Sequence, residues 1–204
     1  MLEINKDKLK NFTRVEIINL MNSITGAKPA LLLGTKSISK VSNLAIFSSI
    51  VHISSSPALF AFFIRNTKNH RRDTFNNILE TKCYTINHIN SKIIKQSHET
   101  SYKYSEDISE FKECGFTEEY VNNFHAPYVK ESNIKIGLEL REVVDFSFTT
   151  SKLIVGELVY ASFCEKYITK NKILNLENSE SVFVSGLNDY YLPKKIASYP
   201  YVRK

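Results

Sequence analysis

Few of the residue spacings that announce a familiar chemistry occur in this chain. Its cysteines, Cys83, Cys114 and Cys164, are odd in number and far apart, with no CxxC pair and no histidine at zinc-ligand spacing. Neither a disulfide framework nor a zinc site is indicated, and reduced thiols are expected. Cys83 and Cys164 fall in apolar, strand-like runs, where a buried structural thiol is the simplest role. His52, His70, His88, His98 and His125 make no HExxH or comparable pattern, so no metal is expected. The segment Gly34-Thr35-Lys36-Ser37 lacks the opening glycine of a P-loop and places its lysine after Thr35, which excludes nucleoside triphosphate hydrolysis. No GxGxxG opens a helix, so a nicotinamide would find no Rossmann site. Paired carboxylates and nucleophile triads are missing too. The longest apolar run, Ala58 to Ile64, is far below the roughly 20 residues of a membrane helix. The N-terminal MLEINKDKLKNF is charged throughout and has no signal core. A cytoplasmic protein is the expectation.

No Gly, Pro or Ser-rich linker divides the 204 residues, which are enough for one substantial core, so one domain over 1–204 is expected. Hydrophobic residues make up 43% and aromatics 12%, a composition that packs rather than stays disordered. The net charge of +6 invites a nucleic-acid reading, but acidic residues are interspersed nearly everywhere. The dense basic spot is His70-Arg71-Arg72, and a mildly positive, solvated surface is the simpler account. A local positive field of that kind draws in phosphate-bearing cofactors.

Thr13 and Glu16 make a capping-box pattern, and Val15, Ile17, Ile18, Met21 and Ile24 recur near helical spacing, predicting a helix to about Thr25 within an N-terminal segment 1–26. From 28 onward strands dominate. Lys28 to Thr35 and Ser42 to Val51 read as a hairpin. Ala58 to Arg65 is a third strand, Thr74 to Glu80 a short helix, and Lys82 to Ile89 a fourth strand. Ser91 can cap a further helix. The polar stretch from Thr100 to Asp107 predicts an irregular excursion, followed by helical turns around Phe111 and Tyr120. Ile134, Ile136, Leu138 and Leu140 alternate as a half-buried strand, and Leu153 to Phe163, apolar on both faces, predicts a central or interface-facing one. Many strands without β-α alternation exclude a doubly wound sheet and favour a mainly β barrel with accessory helices.

The densest chemistry lies between Asn43 and Thr81. In LAIFSSIV a hydroxyl cluster can face one side while Leu44, Ile46 and Ile50 anchor the other. ALFAFFIR then delivers Arg65 at the end of an apolar strand, and HRRDT adds Arg71, Arg72 and Thr74 as potential phosphate donors.

These residues resemble the flavin reductase-like, FMN-binding split-barrel family. The likeness rests on NLAIFSS, SSSPALFAF and RRDTFNNILETKCYTIN, continues through APYVKES at Ala126 to Ser132, and ends with GLNDYY at Gly186 to Tyr191. Arg72 stands where relatives carry a Lys before the DT pair, Ala58 replaces a second Pro, and Val51 falls where many have an Asn. The resemblance implies a six-stranded Greek-key split barrel over 28–204, a homodimer, FMN as cofactor and NADH or NADPH as transient reductant. It implies that Asn43, Leu44 and Ala45 lie along the flavin and that Ser48 and Ser49 approach its ribityl phosphate end. Arg72 and Thr74 would complete the phosphate site, with Phe47, Arg65 and Arg71 also at the cofactor. Asp73, unable to pair with phosphate, is expected to hold an arginine or cap the following helix. His52 is the histidine placed nearest the ring, although a core histidine is the simpler role, and Tyr190 and Tyr191 either stack near the site or finish the core. No catalytic side chain is implied, because the cofactor carries the hydride chemistry. An FMN-binding electron-transfer protein without nicotinamide activity is the alternative, with a single-stranded nucleic-acid-binding barrel more remote.

Overall fold

The computed structural model describes residues 1–65 and 71–200; His70 lies outside them. In chain order the elements are α1 (Lys6–Leu9), α2 (Arg14–Ser23), β1 (Lys28–Pro29), β2 (Leu31–Lys36), β3 (Ser42–Phe47), β4 (Ile50–Ser55) and β5 (Ala58–Ile64). After these come α3 (Asp73–Thr81), β6 (Cys83–His88), α4 (Ile94–Glu99), α5 (Glu110–Glu113), β7 (Glu118–Glu119) and β8 (Tyr128–Val129). The long strands β9 (Ile134–Asp145) and β10 (Lys152–Phe163) follow, then β11 (Phe183–Ser185) and β12 (Asp189–Tyr191). Seven strands form one antiparallel ladder in the order β3-β2-β6-β9-β10-β5-β4, and β1-β11-β12 make a small second sheet.

The two edges of the large ladder, β3 and β4, are separated in sequence only by Ser48 and Ser49. Three peptide steps span at most about 11 Å. The ladder therefore has to roll until its edges meet at this corner, which makes the split barrel. The expected single strand from Ser42 to Val51 is broken there, turning six strands into seven. Ser49 explains the break: its hydroxyl donates to the Phe63 carbonyl at 3.0 Å and accepts from the Phe63 N–H at 3.2 Å, so a side chain satisfies the neighbouring strand while the main chain turns. Ile50 consequently joins a different core from Leu44 and Ile46.

There are two cores because the sheet is covered on both sides. Leu31 and Leu33 of β2 face the barrel interior with Phe62, Ile78, Tyr84 and Leu138, whereas Leu32 faces outward with Leu44, Phe111, Phe116 and Val129. The alternation of strand side chains makes a three-leucine run fit only a strand buried on both faces. The outer cover is the excursion between β6 and β9, which carries α4, α5, β7 and β8. Inside the barrel, Gly156 has to be glycine: a Cβ there would lie 2.2 Å from the hydroxyl oxygen of the fully buried Tyr84.

Helix α2 has the expected capping box, with the Glu16 carboxylate accepting from the Thr13 N–H at 2.7 Å. Its apolar residues are only partly covered: Ile17 and Leu20 are half-buried, whereas Val15 is 64% exposed and Ile24, at the C-cap, 69%. Ser91 does not cap α4, whose N-cap is Ile93; its hydroxyl donates to the Glu180 carboxylate instead. Phe111 lies on α5 as expected, but Tyr120 follows the short strand β7 rather than a helical turn. Cys83 and Cys114 are buried, whereas Cys164 is exposed because β10 ends one residue earlier. β10 is central, paired with β9 on one side and β5 on the other. Tyr190 packs on the outer core with its hydroxyl 2.9 Å from His98 Nδ1, and Tyr191 is exposed.

Candidate functional site

Thr35 of β2 and Asn43 of β3 are directly opposed across the strand pair, so their side chains share a face. The first turns of α3 lay Thr74 and Asn77, one helical turn apart, over them. All four are more than nine-tenths buried. The Asn43 amide donates to Thr35 Oγ1 at 3.2 Å and to Thr74 Oγ1 at 3.0 Å, and the Asn77 amide donates to Thr35 Oγ1 at 3.1 Å. This network fixes the N-terminus of α3, with its unpaired N–H groups and positive dipole end, against the barrel. Arg71 and Arg72 immediately precede the helix. A helix N-terminus flanked by two guanidinium groups is suited to an anion.

A cleft of about 230 Å³ opens here, lined by Ser37, Ser39, Val41, Asn43, Arg71, Asp73, Asn77, Glu106, Asp107 and Ile108. It falls below the roughly 300 Å³ at which whole drug-sized ligands begin to fit. A phosphate end can enter; a tricyclic ring would have to lie outside. Arg71 is paired with both Asp73 and Glu106, which gives Asp73 the arginine-holding role expected of it. Arg72 is exposed and donates through Nε to the Arg65 carbonyl at 3.1 Å.

The remaining sequence-derived residues are distributed away from this cleft. Leu44 is fully buried in the outer core, and its N–H donates to Glu110 Oε2 at 3.0 Å. Burial pushes the Glu110 carboxyl pKa up, against the opposing pull of that hydrogen bond. Ala45 is half-buried opposite Leu33, and the Phe47 ring packs edge-on against Phe62 at 5.1 Å in the barrel interior. Ser48 and Ser49 sit at the corner just past Phe47, the end of β3, which lies about 13 Å along the strand from Asn43 at roughly 3.3 Å per residue. The structure does not bring them to the cleft. Arg65 reaches Asn22 Oδ1 at 3.4 Å, near the C-terminal end of α2, where a cation is favoured. Lys28 also donates to the Asn22 carbonyl, and burial, with Arg65 nearby, lowers its pKa. His52 is an exposed edge-strand residue rather than a core histidine, with Nε2 3.2 Å from Ser55 Oγ.

Sequence reasoning missed Thr35, Asn77, Glu106 and Glu110. Asn77 carried a signal, its place three residues after Thr74. Glu106 and Glu110 carried none, since they come from the irregular excursion.

The model of the flavin reductase like domain matches residues 25–179. The chain belongs to this family. It is similar to a candidate flavin reductase with a split barrel domain from Shewanella frigidimarina, at 34% identity and a TM-score of 0.94, covering 99% of this chain and 100% of that one. Component B of the nitrilotriacetate monooxygenase of Bacillus cereus shares the fold at 18% identity and a TM-score of 0.85, over 98% of each chain. The uncharacterised Bacillus subtilis protein YwrF is 24% identical over 157 residues, 75% of this chain and 77% of YwrF. In this member of the flavin reductase-like family, the donor set at the start of α3 fits the phosphate end of a flavin nucleotide. Among the described residues no group of three or more metal-ligating side chains occurs, and no helix is long and apolar enough to cross a membrane.

Proposed function

We propose that this protein is a homodimeric, FMN-binding NAD(P)H:flavin oxidoreductase. The observation that carries the reading is the buried Thr35–Asn43–Thr74–Asn77 network, which fixes a helix N-terminus and two arginines beside a cleft of phosphate size. The chemistry a bound flavin supplies is acceptance of a hydride at N5 from a nicotinamide C4. Arg71, Arg72 and the N–H groups of α3 hold the phosphate. Asn43, clamped between Thr35 and Thr74, would hold β3 and the start of α3 in a fixed relation for a bound flavin. No side chain of the site has to transfer a proton for hydride transfer.

The dimer follows from uncovered apolar surface. Val51, Ala61 and Val155 stand opposite one another across β4, β5 and β10, and Phe63 stands opposite Leu153 on the same outer face. Val51 is 44% exposed and Phe63 38%, and Val15 on α2 is exposed as well. Exposed apolar side chains grouped on one face of a sheet support an interaction surface there. Three unpaired cysteines are consistent with the cytoplasm, where thiols stay reduced.

The deciding experiment is an absorbance spectrum of the purified protein from about 300 to 550 nm, before and after anaerobic NADH and then NADPH. A flavin band that bleaches supports the reductase. A band that persists with both nicotinamides yet bleaches with dithionite identifies an electron-transfer flavoprotein. No band after addition of FMN removes the flavin reading.

A further inference from the structure

Segment 100–109 joins α4 to α5 without a regular helix or strand, and its Glu106 carboxylate pairs with the Arg71 guanidinium. Asp73, on the first turn of α3, holds the same guanidinium from the other side. Asp107 lines the cleft as well, so among the described lining residues Arg71 is the cation facing three carboxylates. That is a poor arrangement for a phosphate dianion, at the place where the helix N-terminus and the arginines otherwise favour one. To a guanidinium a carboxylate and a phosphate look alike, since both present acceptor oxygens for paired N–H bonds.

We propose that Glu106 is an internal competitor that occupies Arg71 in place of the flavin phosphate, so that phosphate capture requires Glu106 and segment 100–109 to leave the cleft. The proposal rests on reading the cleft as the phosphate end of the flavin site. Glu106, not Asp73, is the group that yields. Asp73 is rooted in α3 and complements that helix's dipole. Glu106 sits on a local turn closed by the Ile108 N–H on the Ser105 carbonyl at 3.0 Å and by the Ser105 hydroxyl on Asp107 at 2.5 Å. The Arg71 and Glu106 side chains are 54% and 58% exposed, and ion pairs in water are weak, so the competitor tunes affinity without abolishing it. It acts on flavins that need Arg71 and leaves uncharged riboflavin untouched. Glu106 is thereby a specificity-determining residue between phosphorylated and unphosphorylated flavin.

The test compares dissociation constants for FMN and riboflavin, read from flavin fluorescence quenching, in wild type, Glu106→Gln, Arg71→Gln and the double variant. The expected result is FMN binding about twofold to fivefold tighter in Glu106→Gln, with riboflavin unchanged and the gain absent in the Arg71→Gln background. Amide hydrogen exchange over 100–109 in wild type should rise when FMN is added. If Arg71→Gln weakens FMN while Glu106→Gln does nothing, or tightens riboflavin equally, the competitor role is wrong and the phosphate site stands. If Arg71→Gln leaves FMN affinity unchanged, the phosphate-site reading fails and the competitor with it.

Discussion

The two edges of the barrel ladder are built in opposite ways. On β3 the chain supplies its own cover: α4 and α5 lie against it, Leu44 is fully buried, and the Leu44 N–H is taken by the Glu110 carboxylate. On β4, Val51, His52 and Ile53 are all exposed among the described residues. An open strand edge is a template for pairing with another chain, and proteins protect it unless it is used. The covered edge adjoins the cleft at the start of α3 and holds Asn43 in the buried network there. The bare edge continues into the outer apolar strip of β5 and β10, where a second copy is proposed to bind.

This contrast can be broken most forcefully by truncating one residue on each edge. Leu44→Ala should cost about 2–5 kcal/mol in a urea melt, because it leaves a cavity between sheet and excursion. Val51→Ala, measured at a dilution that favours the monomer, should stay within about 0.5 kcal/mol of wild type. Equal losses would mean that the edges are not differently built. Charge sharpens the same comparison: Val51→Asp should remain folded by circular dichroism yet sediment as a monomer, and a persistent dimer would move the interface elsewhere. At the corner between the edges, Ser49→Ala should cost about 0.5–1.5 kcal/mol, since the Phe63 N–H and carbonyl lose their side-chain partner.

The smallest expected effect concerns pH at the covered edge. Burial raises the Glu110 carboxyl pKa in the folded state above the 4.5 of a free glutamate. The stability this group contributes is therefore fully present below pH 4.5 and lost as pH rises through the folded value. Glu110→Gln keeps an acceptor for the Leu44 N–H and removes the titration. Its thermal midpoint relative to wild type should climb across that window, and a constant difference would show that Glu110 does not report on burial.

Much of the fold was legible because its signals are local. The capping box at Thr13 and Glu16, the hairpin of Lys28 to Thr35 with the strand from Ser42, and the alternation from Ile134 to Leu140 each depend on neighbours within a few residues. The corner was not legible. Ser48 and Ser49 look like ordinary strand hydroxyls, and only their proximity to Phe63, fourteen residues away for Ser49, reveals that the main chain turns there. The candidate site divides in the same way. Asn43, Arg71, Arg72 and Thr74 were visible as a polar and basic cluster around an apolar strand, and the structure gathers them at the start of α3. Thr35 joins them because strand pairing sets it opposite Asn43, and Glu106 joins because an excursion folds back across the cleft.

By itself the sequence determined that the chain forms a mainly β barrel with helical additions, since periodicity is a property of the chain read in order. It also placed the basic cluster beside a helix start. Only the tertiary structure decided which edge is sealed, where the ladder turns its corner, and that the arginine best placed for a phosphate is already paired with carboxylates. Those outcomes depend on contacts between residues tens of positions apart, and such contacts follow from how the sheet rolls rather than from any local preference of the residues that make them.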